Sequence, residues 1–189
     1  MNRRILLAAA SAGFPLTACG KVGGDKPAPA PISLERIAAE AKGFTVGSTM
    51  SARVVYVFFD AQCPHCAALW QAAKPLKPQA RFVWIPVGLL GDKSVAQGAA
   101  ILAGADPVAS MEQNEASVQA QQGGIAAMGV ADAQKQAVRQ NTQLFTAFGF
   151  GGVPTIVGKN AQSGELVTID GAMDTAGLAQ KLGLTTPGA

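Results

Sequence analysis

The sequence predicts one α/β domain, in which a strand–helix–strand half and a strand–strand–helix half flank a block of helices. Two observations predict this. Short runs of β-branched and aromatic residues lie near both ends of the globular part, and a long stretch rich in Ala, Gln, Met and Leu separates them. The chain has 189 residues, of which 49% are hydrophobic and 14% charged. That length suits one domain with its own core, and that composition excludes a disordered chain.

The first half contains a helix, a central strand, a second helix and a second strand. Val-Val-Tyr-Val-Phe-Phe is a continuous apolar run, typical of a strand buried on both faces. The helix before it has a capping serine, and the helix after it ends or kinks at Pro75. The predicted bounds are 33–42 and 64–74 for the helices, and 53–60 and 81–87 for the strands.

The second half begins with about three helices over 93–148, where glycines interrupt stretches of helix-forming residues. Two strands over 153–158 and 165–169 form a predicted hairpin, and an amphipathic helix over 174–182 follows them. This order is the thioredoxin plan, with a helical subdomain inserted at about 92–149 between its two halves.

The N-terminus has the pattern of an export signal over residues 1–18, with two arginines before a short apolar run. That run is about ten residues long, and a membrane span needs roughly 20. Leu16-Thr17-Ala18-Cys19-Gly20 resembles the lipobox of bacterial lipoproteins, which indicates that Cys19 carries a lipid. A plain secretory signal with a chance cysteine is the alternative.

Residues 19–31 form a predicted Pro/Gly tether that holds the folded domain, residues 32–189, away from a membrane. The expected location is therefore the periplasm, with attachment to the inner or outer membrane through Cys19. The formal charge is +3, and two of the basic residues lie in the leader. The nearly neutral remainder gives no electrostatic reason to expect nucleic acid as a partner.

Cys63-Pro64-His65-Cys66 is the motif that carries chemistry. A cysteine attacks a disulfide as its thiolate, so it needs a lowered pKa and access to solvent. Pro64 suits the first position of a helix, which places Cys63 at the helix N-terminus, where unpaired N–H groups and the helix dipole stabilise an anion. His65 adds to this effect. We therefore predict a redox-active disulfide between Cys63 and Cys66 that needs no other cofactor, with Cys63 attacking and a buried Cys66 resolving.

Other uses of this motif were considered. A zinc site wants four ligands, and a c-type haem site needs histidine directly after the second cysteine, where Ala67 stands. No metal site is predicted on these grounds. An inert structural disulfide and copper handling by Cys63, His65 and Cys66 stay open as alternatives.

Val153-Pro154-Thr155 opens a predicted strand and is a second signal. Proline is tolerated at the first residue of a strand, because it gives up only one donor of the ladder. In the thioredoxin fold the proline at this place is cis and faces the cysteines. By that analogy, Val153 offers backbone hydrogen bonds to an extended substrate segment beside Cys63.

The chain resembles the catalytic domain of the periplasmic disulfide isomerases DsbC and DsbG, and DsbG most. The resemblance covers about residues 53–182. It implies a thioredoxin fold, disulfide exchange on exported proteins with cysteines, and recycling by a membrane redox partner. It also implies that Cys63 is the nucleophile, that Cys66 resolves and that Pro154 is cis. The motifs that carry it are Val55–Asp60, Cys63–Cys66, Trp70, Pro75, Pro86–Leu90, Ala99–Ala103, Asp106–Pro107 and Val153–Thr155.

The chain departs from that family in two respects. About thirty residues separate Cys19 from the first core strand, too few for the dimerisation domain of the isomerases. Pro64-His65 and Val153 are similar to the oxidase DsbA instead. The prediction is therefore a monomeric, membrane-tethered oxidoreductase of oxidising character. A dimer-independent isomerase or reductase and a client-binding chaperone are the alternatives.

The remaining polar, aromatic and methionine side chains are expected to be structural. Asp60 is expected to hydrogen-bond the loop that follows it, with proton transfer as the alternative. Trp70 and Trp84 are expected in the core, and the glutamines over 113–143 on a solvated helix face. Core packing is expected of three methionines: Met111, Met128 and Met173.

Overall fold

The computed structural model describes residues 28–186, which contain six α-helices and one five-stranded sheet. The strands are β1 (Phe44–Gly47), β2 (Val54–Asp60), β3 (Arg81–Val87), β4 (Thr155–Lys159) and β5 (Leu166–Asp170). The helices are α1 (Leu34–Glu40), α2 (Pro64–Ala73), α3 (Asp92–Ala103), α4 (Pro107–Gln119), α5 (Asp132–Ala147) and α6 (Thr175–Leu182). A 3-10 turn over Lys74–Leu76 follows α2, so Pro75 ends the helix as predicted.

The sheet has the order β1-β3-β2-β4-β5. Strands β2 and β3 are parallel, and the other neighbouring pairs are antiparallel. Asp60 pairs with Val87 at the end of the parallel pair, so both strands finish at one edge of the sheet. The Cys-Pro-His-Cys motif follows β2 directly and therefore lies at that edge.

Strand β2 is buried on both faces, which confirms the prediction of a central strand. Val57 and Phe59 pack into the larger core, where aromatic rings from β1, β2, α2 and β3 contact one another. Trp70 and Trp84 lie in this core as predicted, each 1% exposed. Phe58 faces the second core, against Phe145 and Phe150 beside α5.

The α/β class and the order of elements agree with the sequence prediction, with one strand added. Strand β1 was missed, because its four residues alternate in burial over a run too short for a periodic pattern to stand out. Three helices lie between β3 and β4, as expected, and we call α3 to α5 the helical block. That this block is an inserted subdomain stays a prediction.

The leader, Cys19 and most of the tether lie outside the described residues, so the predictions made for them stay predictions. The described end of the tether contacts the domain, where the Ala30 N–H donates to the Ala147 carbonyl at 2.8 Å. Within residues 28–186, none of the helices has the length and apolar character that a membrane crossing requires.

Candidate active site

Cys63 occupies the N-cap of α2, and Pro64 is the first residue of the helix. The Cys63 backbone is extended (φ −88°, ψ 115°), and its carbonyl accepts the Cys66 N–H at 3.0 Å. Proline costs nothing at the first helical position, because the N–H that it lacks has no intrahelical acceptor there. The sequence therefore places the sulfur where the free N–H groups of the first turn converge.

The pKa of the Cys63 thiol is lowered to about 6. The largest cause is a side-chain hydrogen bond from Cys66; the backbone N–H groups of Cys66 and His65 and the charge of His65 act in the same direction, and burial opposes them. The lowered pKa agrees with the sequence prediction, but the chief donor is the partner thiol. Cys63 is 6% exposed, so only a narrow edge of the residue meets solvent, beside the exposed Pro64 and His65.

Cys66 lies one turn into the helix and is fully buried, as expected of a resolving cysteine. Burial is the largest cause that raises the pKa of its thiol, and the nearby Cys63 raises it further. Both thiols are free, so this is the reduced form of the pair. One thiol is therefore acidic and nearly buried, with a narrow edge of its residue open to solvent, and the other is fully buried and held protonated.

The loop before β4 reaches the cysteines. The Val153–Pro154 peptide bond is cis, which confirms the prediction made by fold analogy. The Cys63 Sγ lies 3.6 Å from the Val153 carbonyl oxygen. Strand β4 begins at Thr155, so Pro154 precedes the first strand residue. Residues 90 positions apart in the chain thus meet at one sulfur atom.

Asp60, at the end of β2, is fully buried and accepts three backbone hydrogen bonds. The donors are the N–H groups of Gln62 at 2.9 Å, Leu89 at 2.8 Å and Leu90 at 3.0 Å. These bonds join the loop before Cys63 to the loop after β3. The expected structural role of Asp60 is confirmed.

A buried amide cluster holds the helical block against the residues before Cys63. Gln62 donates to Gln97, and to the Gly123 carbonyl at 2.9 Å. Gln97 donates to the carbonyls of Gly123 and Ile125, each at 2.8 Å. Asn114 donates to the Ala61 carbonyl at 2.9 Å. Sequence reasoning missed this cluster, because its members are far apart in the chain and belong to no motif.

Glu115, beside Asn114 on α4, was also missed. It is fully buried, and burial is the largest of the causes that raise its pKa to about 8. A helical stripe gave the available signal, since the buried positions of α4 are Met111, Asn114, Glu115 and Val118. A glutamate on the same stripe as two core residues faces the interior.

The other predictions for side chains have mixed outcomes. Met111 is fully buried as expected, and Met173 packs partly buried against the core. The prediction for Met128 was wrong, since it is 94% exposed in the turn-rich segment between α4 and α5, where no core reaches it. Most glutamines over 113–143 are exposed as expected. Among the described residues, no group of three or more His, Cys, Asp or Glu side chains is placed to hold a metal ion.

The chain matches the family described as thioredoxin-like domain over residues 47–185. It is 33% identical over 141 residues to the thiol:disulfide interchange protein DsbG of Pseudomonas aeruginosa, covering 72% of this chain and 54% of that protein. The DsbG of Escherichia coli is 44% identical over 68 residues, or 34% of this chain and 27% of that protein. The resemblance to DsbG is confirmed, and the chain spans about half the length of the first of these relatives.

Solved structures show the same fold. A periplasmic thioredoxin-like protein from Salmonella enterica serovar Typhimurium has a TM-score of 0.64 and 22% identity, covering 82% of this chain and 97% of its own. The catalytic domain of Proteus mirabilis ScsC has a TM-score of 0.59 and 19% identity, covering 79% and 93%. The protein α-DsbA2 from Wolbachia pipientis has a TM-score of 0.56 and 18% identity, covering 75% and 86%.

Proposed function

Because the chain belongs to the family of thioredoxin-like domains, we propose that it is a thiol:disulfide oxidoreductase acting on exported proteins through Cys63 and Cys66. The observation that carries this proposal is the asymmetry of the pair. One thiol at a helix N-cap has its pKa lowered to about 6, and the other is fully buried with a raised pKa. An inert structural disulfide needs neither property.

The exchange proceeds in two steps. The Cys63 thiolate attacks one sulfur of a substrate disulfide, forms a mixed disulfide and releases the other sulfur as a thiolate. Cys66 then loses its proton and attacks the Cys63 sulfur, which closes the Cys63–Cys66 disulfide and releases the second substrate thiolate. Two electrons pass from the pair to the substrate. In the oxidising direction both steps run in reverse.

The oxidising direction is the one that the Cys63 environment favours. Whatever stabilises the Cys63 thiolate stabilises the reduced form of the pair, so the disulfide becomes a stronger oxidant. Hydrogen bonds from the Cys66 side chain and from backbone N–H groups supply that stabilisation, and His65 adds to it. Cys63 is also the better leaving group in a mixed disulfide, since a sulfur of lower pKa leaves faster.

Substrates bind as extended segments along the loop before Pro154. The Val153 carbonyl already lies 3.6 Å from the Cys63 Sγ, so a strand placed there brings its own sulfur to the nucleophile. Backbone hydrogen bonds of this kind do not select a sequence. A membrane redox partner recycles the pair, and a lipid on Cys19 tethers the protein in the periplasm.

The likeness to DsbG favours one second candidate, a dimer-independent isomerase or reductase. The two functions differ in the reduction potential of the pair. An oxidase needs a value near the most oxidising known couples, about −120 mV, and a reductase one near about −270 mV.

The test is equilibration of the pair in glutathione buffers, followed by turnover of a protein with free cysteines. We expect a potential at the oxidising end and accumulation of disulfides in the substrate. Cys63→Ser abolishes turnover, whereas Cys66→Ser traps mixed disulfides on Cys63. A potential near that of thioredoxin contradicts the oxidising direction, and turnover by Cys63→Ser contradicts the whole proposal. Aggregation suppression that survives the double serine variant supports a chaperone instead.

A further inference from the structure

A carboxyl group from the helical block lies near enough to the two cysteines for their charges to act on one another. Glu115 is fully buried on α4, and its Oε1 accepts a hydrogen bond from the Asn114 side chain at 3.2 Å. Its Oε2 is buried without a hydrogen-bond partner among the described residues. Buried carboxylates are normally paired with several donors, as Asp60 is. Glu115 therefore lacks the donors that would stabilise it as a buried carboxylate, and its free oxygen can bind a proton.

The register of α2 against α4 brings this carboxyl to the level of the buried cysteine. The Trp70 indole N–H donates to Glu112 at 2.6 Å, and Asn114 reaches back to the Ala61 carbonyl before α2. The two helices therefore run antiparallel. Cys66 lies one turn before Trp70, and Glu115 lies three residues after Glu112, so both step in the same direction from that contact.

The charged and titratable groups that act on Glu115 are negative when ionised. Asp60 acts from the end of β2, Cys63 from α2 and Glu112 from its own helix, and Glu115 in turn acts on Cys66. A Glu115 carboxylate and a Cys63 thiolate therefore repel each other, and little water is present to screen the two charges. Ionisation of one group disfavours ionisation of the other.

We propose that Glu115 is the proton reservoir of the dithiol: its carboxyl binds a proton when the Cys63–Cys66 disulfide is reduced and releases it when the disulfide re-forms. This inference rests on the proposed function. When a substrate dithiol is oxidised, its two electrons break the Cys63–Cys66 bond and a disulfide forms in the substrate. Of its two protons, one goes to the Cys66 sulfur and one to Glu115, and Cys63 stays a thiolate. The cysteine pair and Glu115 together hold one negative charge before and after.

The first test is the pH dependence of the reduction potential of the pair, measured against a redox buffer whose own potential is known at each pH. At a fixed potential, each proton taken up with the two electrons changes the ratio of reduced to oxidised pair tenfold per pH unit, which is about 30 mV in its reduction potential. Between about pH 7 and 8, reduction of the full-length wild type takes up two protons and approaches a hundredfold change per unit. Glu115→Gln keeps the shape of the side chain and shows a tenfold change. Glu112→Gln, on the same helix, keeps the wild-type slope.

The second test is spectroscopic and does not depend on turnover. In the infrared difference spectrum between the reduced and oxidised wild type, a protonated carboxylic acid band appears on reduction, and Glu115→Gln lacks it. Equal slopes in wild type and Glu115→Gln, or a difference spectrum without that band, would overturn the inference. Substrate turnover is measured in parallel: if turnover persists while the slopes are equal, only the role of Glu115 fails. A pair that does not exchange with any disulfide contradicts the proposed function itself.

Discussion

Replacing Cys66 by alanine tests whether the buried thiol holds Cys63 as a thiolate. Its side-chain hydrogen bond is the largest cause that lowers the pKa of Cys63 to about 6. A hydrogen bond to a charged group contributes about 1.5 to 3 kcal/mol, and about 1.4 kcal/mol corresponds to one pKa unit. Cys66→Ala therefore raises the pKa of Cys63 by about one to two units. At pH 6 the thiolate fraction falls from about one half to about a tenth or less.

The assay is the rate of alkylation at Cys63 as a function of pH, read by mass spectrometry of its peptide so that Cys19 does not contribute. Cys66→Ser is the matched control, because its hydroxyl also donates a hydrogen bond and keeps the midpoint near that of the wild type. If Cys66→Ala and Cys66→Ser share one midpoint, the partner thiol is not the main donor. The helix N-terminus alone then lowers the pKa.

Three further predictions concern stability. Asp60→Ala leaves three backbone N–H groups without their acceptor. We expect the free energy of unfolding, measured in urea, to fall by at least about 2 kcal/mol, and by less for Asp60→Asn. Equal losses for the two variants would contradict this reasoning. Met111→Ala opens a cavity in the core and lowers the free energy of unfolding by about 2 to 5 kcal/mol. Met128→Ala, at a residue 94% exposed, changes it by no more than about 0.5 kcal/mol. Similar values for the two variants would show that burial does not decide the loss of stability. The raised pKa of Glu115, about 8, means that the folded reduced protein binds a proton that the unfolded chain releases at lower pH. The stability of the reduced wild type relative to Glu115→Gln therefore falls as the pH rises from about 5 to 8, and parallel stability curves would refute this.

The fold could be predicted from the sequence wherever a periodic or continuous apolar pattern ran for a strand or a helix. Strand β3 has the predicted bounds, and β2 begins one residue later than expected. Strand β1 was not predicted, because four residues are too few to show a periodic apolar pattern. Met128 was misplaced because composition does not distinguish a methionine of the core from one in an exposed turn.

The candidate site divides in the same way. The motif, the proline at the first helical position and the N-cap placement of Cys63 are local, because they depend on residues within one turn of helix. The amide cluster and Glu115 could not be predicted as part of the site. Their position beside the start of α2 depends on how α4 packs against that helix. The apolar stripe of a helix does not reveal which element will cover it.

The sequence by itself determined the α/β class, the central strand and the position of a nucleophilic cysteine at a helix start, because each follows from the spacing of neighbouring residues. Only the tertiary structure decided that the Val153 carbonyl lies against the Cys63 sulfur and that a buried carboxyl, Glu115, acts on Cys66. Burial and charge repulsion depend on distances in space. Residues far apart in the chain come close together only when the sheet and the helical block pack around them.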